Sequence, residues 1–288
     1  TDAAGICTNT SIQSVTINAL DDASFSYAGS PFCADDADPT PTVTGQAGGS
    51  FSSTAGLTIN LTTGEIDLDA SVAGTYDVTY STDAAGICTN TSIQSVTINA
   101  LDDASFSYAG SPFCADDADP TPTVTGQAGG SFSSTAGLTI NLTTGEIDLD
   151  ASVAGTYDVT YSTDAAGICT NTSIQSVTIN ALPTAVISDS TNPNCPLDSN
   201  GNATVLASGG TPGYNYLWSG GLGPTLPTVS GLTAGTYSVT VTDDEGCEAT
   251  ISVTLVDPDA ISASIDAFTN TTCFGAGDGT ITVTASGG

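Results

Sequence analysis

The chain has 288 residues and sets 31 acidic side chains against no Lys, no Arg and no His, for a net charge of −31. With no cation to meet a phosphate, nucleic acid and anionic membrane surfaces are excluded as partners, because both are held by Lys and Arg. With no His or Lys to activate the abundant Ser and Thr, the usual nucleophilic triads and dyads cannot be assembled. Such acidity often accompanies disorder, but 39% of the residues are hydrophobic and Val, Ile, Leu, Tyr and Phe recur at regular intervals, so the chain is expected to fold. No apolar run approaches the roughly 18 to 20 residues of a membrane helix, so no membrane insertion, anchor or signal peptide is expected within the sequence. The missing initiator Met and an opening inside a repeat are what a stretch of a longer chain would show.

Residues 1–101 recur without a change as residues 82–182, a shift of 81. The expected organisation is a C-terminal strand of a truncated module over 1–20, one module over 21–101, its identical copy over 102–182, a related module over 183–259 and the start of a truncated one over 260–288. Ala-Gly-Thr-Tyr, at Ala73, Ala154 and Ala234, ties the third module to the first two. Within 102–182, strands are expected over 105–109, 122–126, 130–134, 138–141, 146–150, 155–161 and 173–180, separated by Gly, Asn, Asp and Pro clusters. In the first copy, 74–80 alternates, with Tyr76, Val78 and Tyr80 on one face and Thr75, Asp77 and Thr79 on the other. No segment carries a helical apolar stripe. About seven short strands per repeat is the count of an immunoglobulin-like sandwich, so the expected fold is all-β: tandem immunoglobulin-like β-sandwich modules in a linear array. In the third module Tyr214-Asn-Tyr-Leu-Trp218 reads as a strand, with Trp218 in the core rather than serving as an aromatic platform for a sugar.

Eight cysteines stand at positions 7, 33, 88, 114, 169, 195, 247 and 273, one early and one late in each module, and disulfides are expected. Three pairings are open. Bonds within modules would join Cys33 to Cys88, Cys114 to Cys169 and Cys195 to Cys247, leaving Cys7 and Cys273 over. A constant spacing of 26 across each junction suggests a second pattern, Cys88 with Cys114 and its equivalents. A simple sandwich places the early and late cysteines near opposite poles, beyond the ~6 Å a disulfide spans, which suggests a third: Cys33 with Cys169 and Cys114 with Cys247. No CxxC or Cys-His cluster points to zinc.

The acidic residues offer two further chemistries. Asp35, Asp36 and Asp38, with their copies Asp116, Asp117 and Asp119, are candidate calcium ligands, although they match no EF-hand loop, and a plain charged loop is the competing reading. Glu65, Asp67 and Asp69 have the chemistry of a glycosidase pair, but they alternate with Ile66 and Leu68, as a solvated strand face does. Ten acidic residues in each 81-residue repeat repel one another and favour an extended, soluble string.

The stretches Cys195 to Gly210, Tyr214 to Trp218 and Gly231 to Cys247 resemble the SprB repeat of giant Bacteroidota surface adhesins, over residues 183–288. Pro212-Gly-Tyr214 departs from that pattern's usual Pro-Tyr, and the 81-residue copies are similar to other Cys-containing immunoglobulin-like modules of the same proteins. The resemblance implies a non-enzymatic, extracellular cell-surface filament, exported by type IX secretion and, for the namesake, moved by gliding machinery. It also implies an external surface or glycan ligand bound outside this stretch, with neighbouring modules of the same chain as the other partners. Asp189-Ser-Thr191 resembles that phylum's O-glycosylation sequon, with Ser190 as acceptor. The alternatives are glycan-binding sandwiches and a calcium-stiffened stalk of a biofilm adhesin.

Overall fold

A computed structural model describes residues 11–82, 88–163, 169–221 and 226–287. The chain divides into two compact units, one of Thr1–Ser105, Thr125–Gly130 and Ser162–Thr172, the other of Phe106–Val124, Ser131–Tyr161 and Ser173–Gly288. Among the described residues the regular structure is strand, apart from one 3-10 turn at Ser219–Gly221. The chain is a tandem array of immunoglobulin-like β-sandwich modules, as the strand punctuation implies.

In the first unit the strands are β1 (Phe25–Ser26), β2 (Phe32–Cys33), β3 (Thr42–Val43), β4 (Ser50–Ser53), β5 (Thr58–Ile59), β6 (Ile66–Asp67), β7 (Gly74–Ser81) and β8 (Thr91–Asn99). The two long strands β7 and β8 pair antiparallel along their length, and alternation along β7 buries Tyr76, Val78 and Tyr80. They centre a sheet of order β2-β8-β7-β4, while β1 pairs with β3 and β5 with β6. The short strand β2 runs parallel to β8, with Phe32 opposite Ile98 and Cys33 opposite Asn99. Ile66 and Leu68 are wholly buried, and each contributes roughly 1.5–3 kcal/mol through the water it leaves.

Phe25, Phe51 and Tyr80 pack ring on ring, with centroids 4.7 to 5.8 Å apart. The tyrosines bring hydroxyls inside, and each finds a partner, since an unpaired one would cost more than its ring gains. Tyr80 donates to Gln46 O at 2.6 Å and accepts from the Gly49 N–H at 3.0 Å. Tyr76 donates to Val72 O at 2.5 Å, and Tyr27 to Gly64 O. Burial pushes the Tyr27 hydroxyl well above the usual tyrosine range, and its copy Tyr108 behaves alike. Gly49 is a position of close approach: a Cβ there would stand 2.1 Å from Ser81 O, so the chain crosses this strand end only without a side chain.

The second unit holds the repeated strands β9 (Phe106–Ser107), β10 (Phe113–Cys114), β11 (Thr123–Val124), β12 (Ser131–Ser134), β13 (Thr139–Ile140), β14 (Ile147–Asp148), β15 (Gly155–Ser162) and β16 (Thr172–Asn180), in the same sheet order. The next module uses β17 (Pro183–Thr191), β18 (Gly201–Gly209), β19 (Asn215–Trp218), β20 (Thr228–Leu232), β21 (Gly235–Thr242) and β22 (Glu248–Leu255). Its sheets, β17-β18-β20 and β19-β21-β22, enclose Ala203, Val205, Trp218, Val229, Leu232, Val239, Val241 and Leu255. A last antiparallel pair, β23 (Ser262–Thr269) and β24 (Thr280–Ser286), completes the described strands.

The absence of cations shapes the outward faces. Where many sheets place Lys opposite Glu, this chain pairs hydroxyls across strands: Thr75 with Thr97, Thr156 with Thr178, Thr204 with Thr228, Thr236 with Thr254 and Thr240 with Thr250, at 2.9 to 3.1 Å. Cross-strand pairs of this kind are worth about 0.2–1 kcal/mol each.

Residues 11–20, which repeat most of the sequence of β8, form no strand, and the rest of the strand expected within 1–20 lies outside the described residues. Val15 and Ile17 are 82% and 91% exposed, whereas their counterparts Val96 and Ile98 are buried at 1%. Identical residues form a strand only where a neighbour such as β7 accepts their backbone hydrogen bonds.

Candidate functional site

The cysteines are placed by the short parallel strands. Because β2 joins the C-terminal end of β8, Cys33 stands beside Asn99, at the pole where the chain leaves the first repeat. The Ala34 N–H donates to Asn99 O at 3.1 Å, and the Cys33–Asp36 turn is closed twice. Asp36 Oδ2 accepts from the Cys33 N–H at 2.7 Å, and the Asp36 N–H donates to Cys33 O at 3.1 Å. Just past this pole the Asp102 N–H donates to Cys169 O at 2.9 Å, and Asn171 Nδ2 donates to Asp102 O at 2.9 Å, which brings the late cysteine of the second repeat to the early cysteine of the first.

Cys33 and Cys169 are bonded, with Cα atoms 5.4 Å apart. Cys88, by contrast, precedes the nine-residue strand β8 at its other end, about 25–30 Å from Asn99 along a strand of that length. A bond from Cys33 to Cys88 is therefore out of reach.

The arrangement recurs in the second unit. Cys114 lies opposite Asn180 in the β10–β16 pair, Asp117 Oδ2 closes its turn at 2.7 Å, and Cys114 is bonded to Cys247 with Cα atoms 5.6 Å apart. Cys247 sits at the β21–β22 turn, held by Asp243, a residue only 3% exposed. Asp243 Oδ1 accepts from the Cys247 N–H at 2.9 Å, and Oδ2 accepts from the Thr211 N–H at 2.9 Å. Cys88, Cys195 and Cys273 are free thiols, and Cys7 lies outside the described residues. Cys195 opens the same kind of turn as Cys33 and Cys114, its carbonyl accepting from the Asp198 N–H at 3.1 Å.

The structure divides the acidic triplets. Asp35 and Asp36 gather around the Cys33 sulfur within 4.8 Å, but that sulfur is spent in a disulfide and offers no thiolate to a metal. Asp38 turns away, accepting from the Leu68 N–H at 2.9 Å, and lines an open hollow with Asn60, Glu65 and Asp67. In the copy, Asp116 and Asp117 line a hollow with Glu248 beside Cys114 and Cys247, while Asp119 joins Asn141, Glu146 and Asp148. Glu65, Asp67 and Asp69 are exposed between the buried Ile66 and Leu68, so they form a solvated strand face. Hydrogen bonds from Ser24, first from its hydroxyl and then from its N–H, hold the Asp22 carboxyl below the usual range, and Ser105 does the same to Asp103.

Trp218 is 2% exposed and its Nε1–H donates to Leu226 O at 3.2 Å, so its ring is core and presents no platform to a sugar. Ser190 is exposed on β17, the edge strand of its sheet. Among the described residues no helix is long and apolar enough to cross a membrane.

The SprB repeat family model matches residues 187–223 and 265–288, which span the β17–β19 region and the β23–β24 pair. No curated protein matches the chain in sequence. Similar solved structures include extracellular domains 3–5 of Drosophila OTK (14% identity, 70% of this chain and 78% of that one, TM-score 0.30). Others are the I67–I69 fragment of titin (11%, 81% and 98%, TM-score 0.30) and a Ca2+-stabilized, ice-binding adhesin of an Antarctic bacterium (18%, 85% and 77%, TM-score 0.29).

Proposed function

We propose that this chain, which carries SprB repeats, is the structural and adhesive repeat region of an extracellular cell-surface filament, in which identical modules set length and a binding region elsewhere sets specificity. The observation that carries this reading is the pair of disulfides that each tie one module to the next: the covalent investment lies in continuity along the chain rather than in a pocket. Identical copies, hydroxyl-covered faces and strong acidity suit a spacer that stays soluble and does not stick to its own copies. The reading includes no catalysis. Export by type IX secretion and a part in gliding belong to it through the SprB resemblance, as does O-glycosylation at Ser190. A glycan array probed with the purified chain is expected to stay blank, and binding that rises with the number of modules would replace the spacer with a glycan-binding array.

Calcium is a secondary reading, favoured by one observation: Asp38, Glu65 and Asp67 share a hollow with Asn60, a set of hard oxygen donors, and the copy repeats it. Asp116 and Asp117 belong to the same proposal at the hollow beside Cys114 and Cys247, as do Asp35 and Asp36 beside Cys33. A melting temperature raised by millimolar calcium and returned by chelator supports it, and one that calcium leaves unchanged removes it.

A further inference from the structure

The order of the bonded cysteines along the chain is Cys33, Cys114, Cys169, Cys247, and the bonds join the first to the third and the second to the fourth. They interleave: Cys114 lies inside the loop closed by Cys33 and Cys169, and Cys169 lies inside the loop closed by Cys114 and Cys247. Serial bonds would each shorten the chain independently, whereas interleaved bonds share the work.

We infer that the interleaved bonds make this chain a fail-safe tether, one whose length under tension is capped by either bond alone and released only when both are lost. The argument is a count of covalent routes from Cys33 to Cys247. Along the backbone the route is 214 residues, which reach about 750 Å at roughly 3.5 Å per extended residue. With both bonds the shortest route crosses from Cys33 to Cys169, runs backwards over 55 residues to Cys114 and crosses to Cys247, about 190 Å. Loss of the Cys114–Cys247 bond leaves the 78 residues from Cys169 to Cys247, about 270 Å. Loss of the Cys33–Cys169 bond leaves the 81 residues from Cys33 to Cys114, about 280 Å. Either bond therefore holds back most of the slack that unfolding would release.

The segment that bears load on the shortest route, Cys114 to Cys169, contains Phe132, Ile147, Leu149, Tyr157, Val159 and Tyr161, the wholly or nearly wholly buried core of the second repeat. A stretched filament is thus limited by the buried core of a module, pulled at two cysteines rather than at its ends. The cap follows from connectivity in any chain under load; its use on a cell rests on the filament reading.

Single-molecule stretching of the full chain held at its termini tests the cap, because the fully extended length counts covalent connectivity. Relative to the unaltered chain, Cys114→Ser with Cys247→Ser is expected to add about 80 Å and Cys33→Ser with Cys169→Ser about 90 Å, while all four together add about 550 Å. Cys88→Ser is expected to add nothing. A count of free thiols in denaturant confirms that the remaining bond has formed in each two-site variant. Increments of the two pairs that sum to the four-site increment would overturn the inference in favour of serial bonds. So would a gain of about 190 Å on Cys88→Ser, the signature of bonding within modules. Because the purified chain is pulled, these outcomes are independent of whether a cell uses it to adhere.

Discussion

Replacing Cys114 and Cys247 together by serine is expected to lower the free energy of unfolding of the module that holds Trp218 by about 4–5 kcal/mol. The loop closed by this bond spans 133 residues, and in the loop-entropy treatment a cross-link of that span removes roughly this much free energy of disorder from the unfolded chain. Trp218 is the single tryptophan of the sequence and is buried, so its fluorescence reports this module alone. With urea slopes of about 1–3 kcal/mol/M the midpoint should fall by roughly 1–5 M. Cys195→Ser, at an exposed free thiol of the same module, should leave the free energy of unfolding within the ~0.5 kcal/mol expected of surface changes. Equal effects from the two variants would mean that Cys195, not Cys114, is the partner of Cys247.

The second large effect is expected at Trp218 itself. Trp218→Ala empties the centre of a core walled by Val205, Leu232, Val239 and Val241 and leaves Leu226 O without its donor, a loss of about 3–5 kcal/mol. Circular dichroism in denaturant measures it without the missing fluorophore. Trp218→Phe, which keeps most of the ring volume, should recover more than half of the loss. A sugar-binding platform would behave in the opposite way, since an exposed ring can be removed with little change in stability.

Much of the fold was legible because period-two alternation is a local signal. Tyr76, Val78 and Tyr80 point inward, as do Ile66 and Leu68 between three acidic neighbours, and the repeated Gly, Asn and Asp clusters fall between the strands. The core position of Trp218 followed from the sandwich itself.

The cysteine pairing stayed open for a different reason, although the observed pattern, Cys33 with Cys169 and Cys114 with Cys247, was one of the three the sequence offered. It depends on β2 and β10, two residues each, and no periodicity can be read from Phe32-Cys33. What fixes Cys33 is a parallel bridge to Ile98 and Asn99, a contact 66 residues away in sequence that places the early cysteine at the exit pole. The same limit applies to the acidic triplet, where Asp36 closes a local turn while Asp38 is drawn off by the Leu68 N–H, 30 residues on. Residues 11–20 show the converse, since a sequence that makes β8 in one place stays irregular in another. Strand propensity states what a segment suits, and the partner decides whether it forms.

The most direct test is the identity of the cysteine bonded to Cys247. The repeats are identical, so peptides carrying Cys33 and Cys114 have one mass, as do those carrying Cys7, Cys88 and Cys169, and a link between repeat peptides does not say which copies are joined. Cys195 and Cys247 lie in unique sequence. Trypsin has no site to cut, so the non-reduced chain would be digested by a protease directed at acidic or aromatic residues and the linked peptides sequenced by mass spectrometry. Tying each module to the next predicts Cys247 joined to the repeat peptide Ser111-Pro-Phe-Cys-Ala-Asp116, with Cys195 as a free thiol. Cys247 joined to the Asn194-Cys-Pro196 peptide would contradict it.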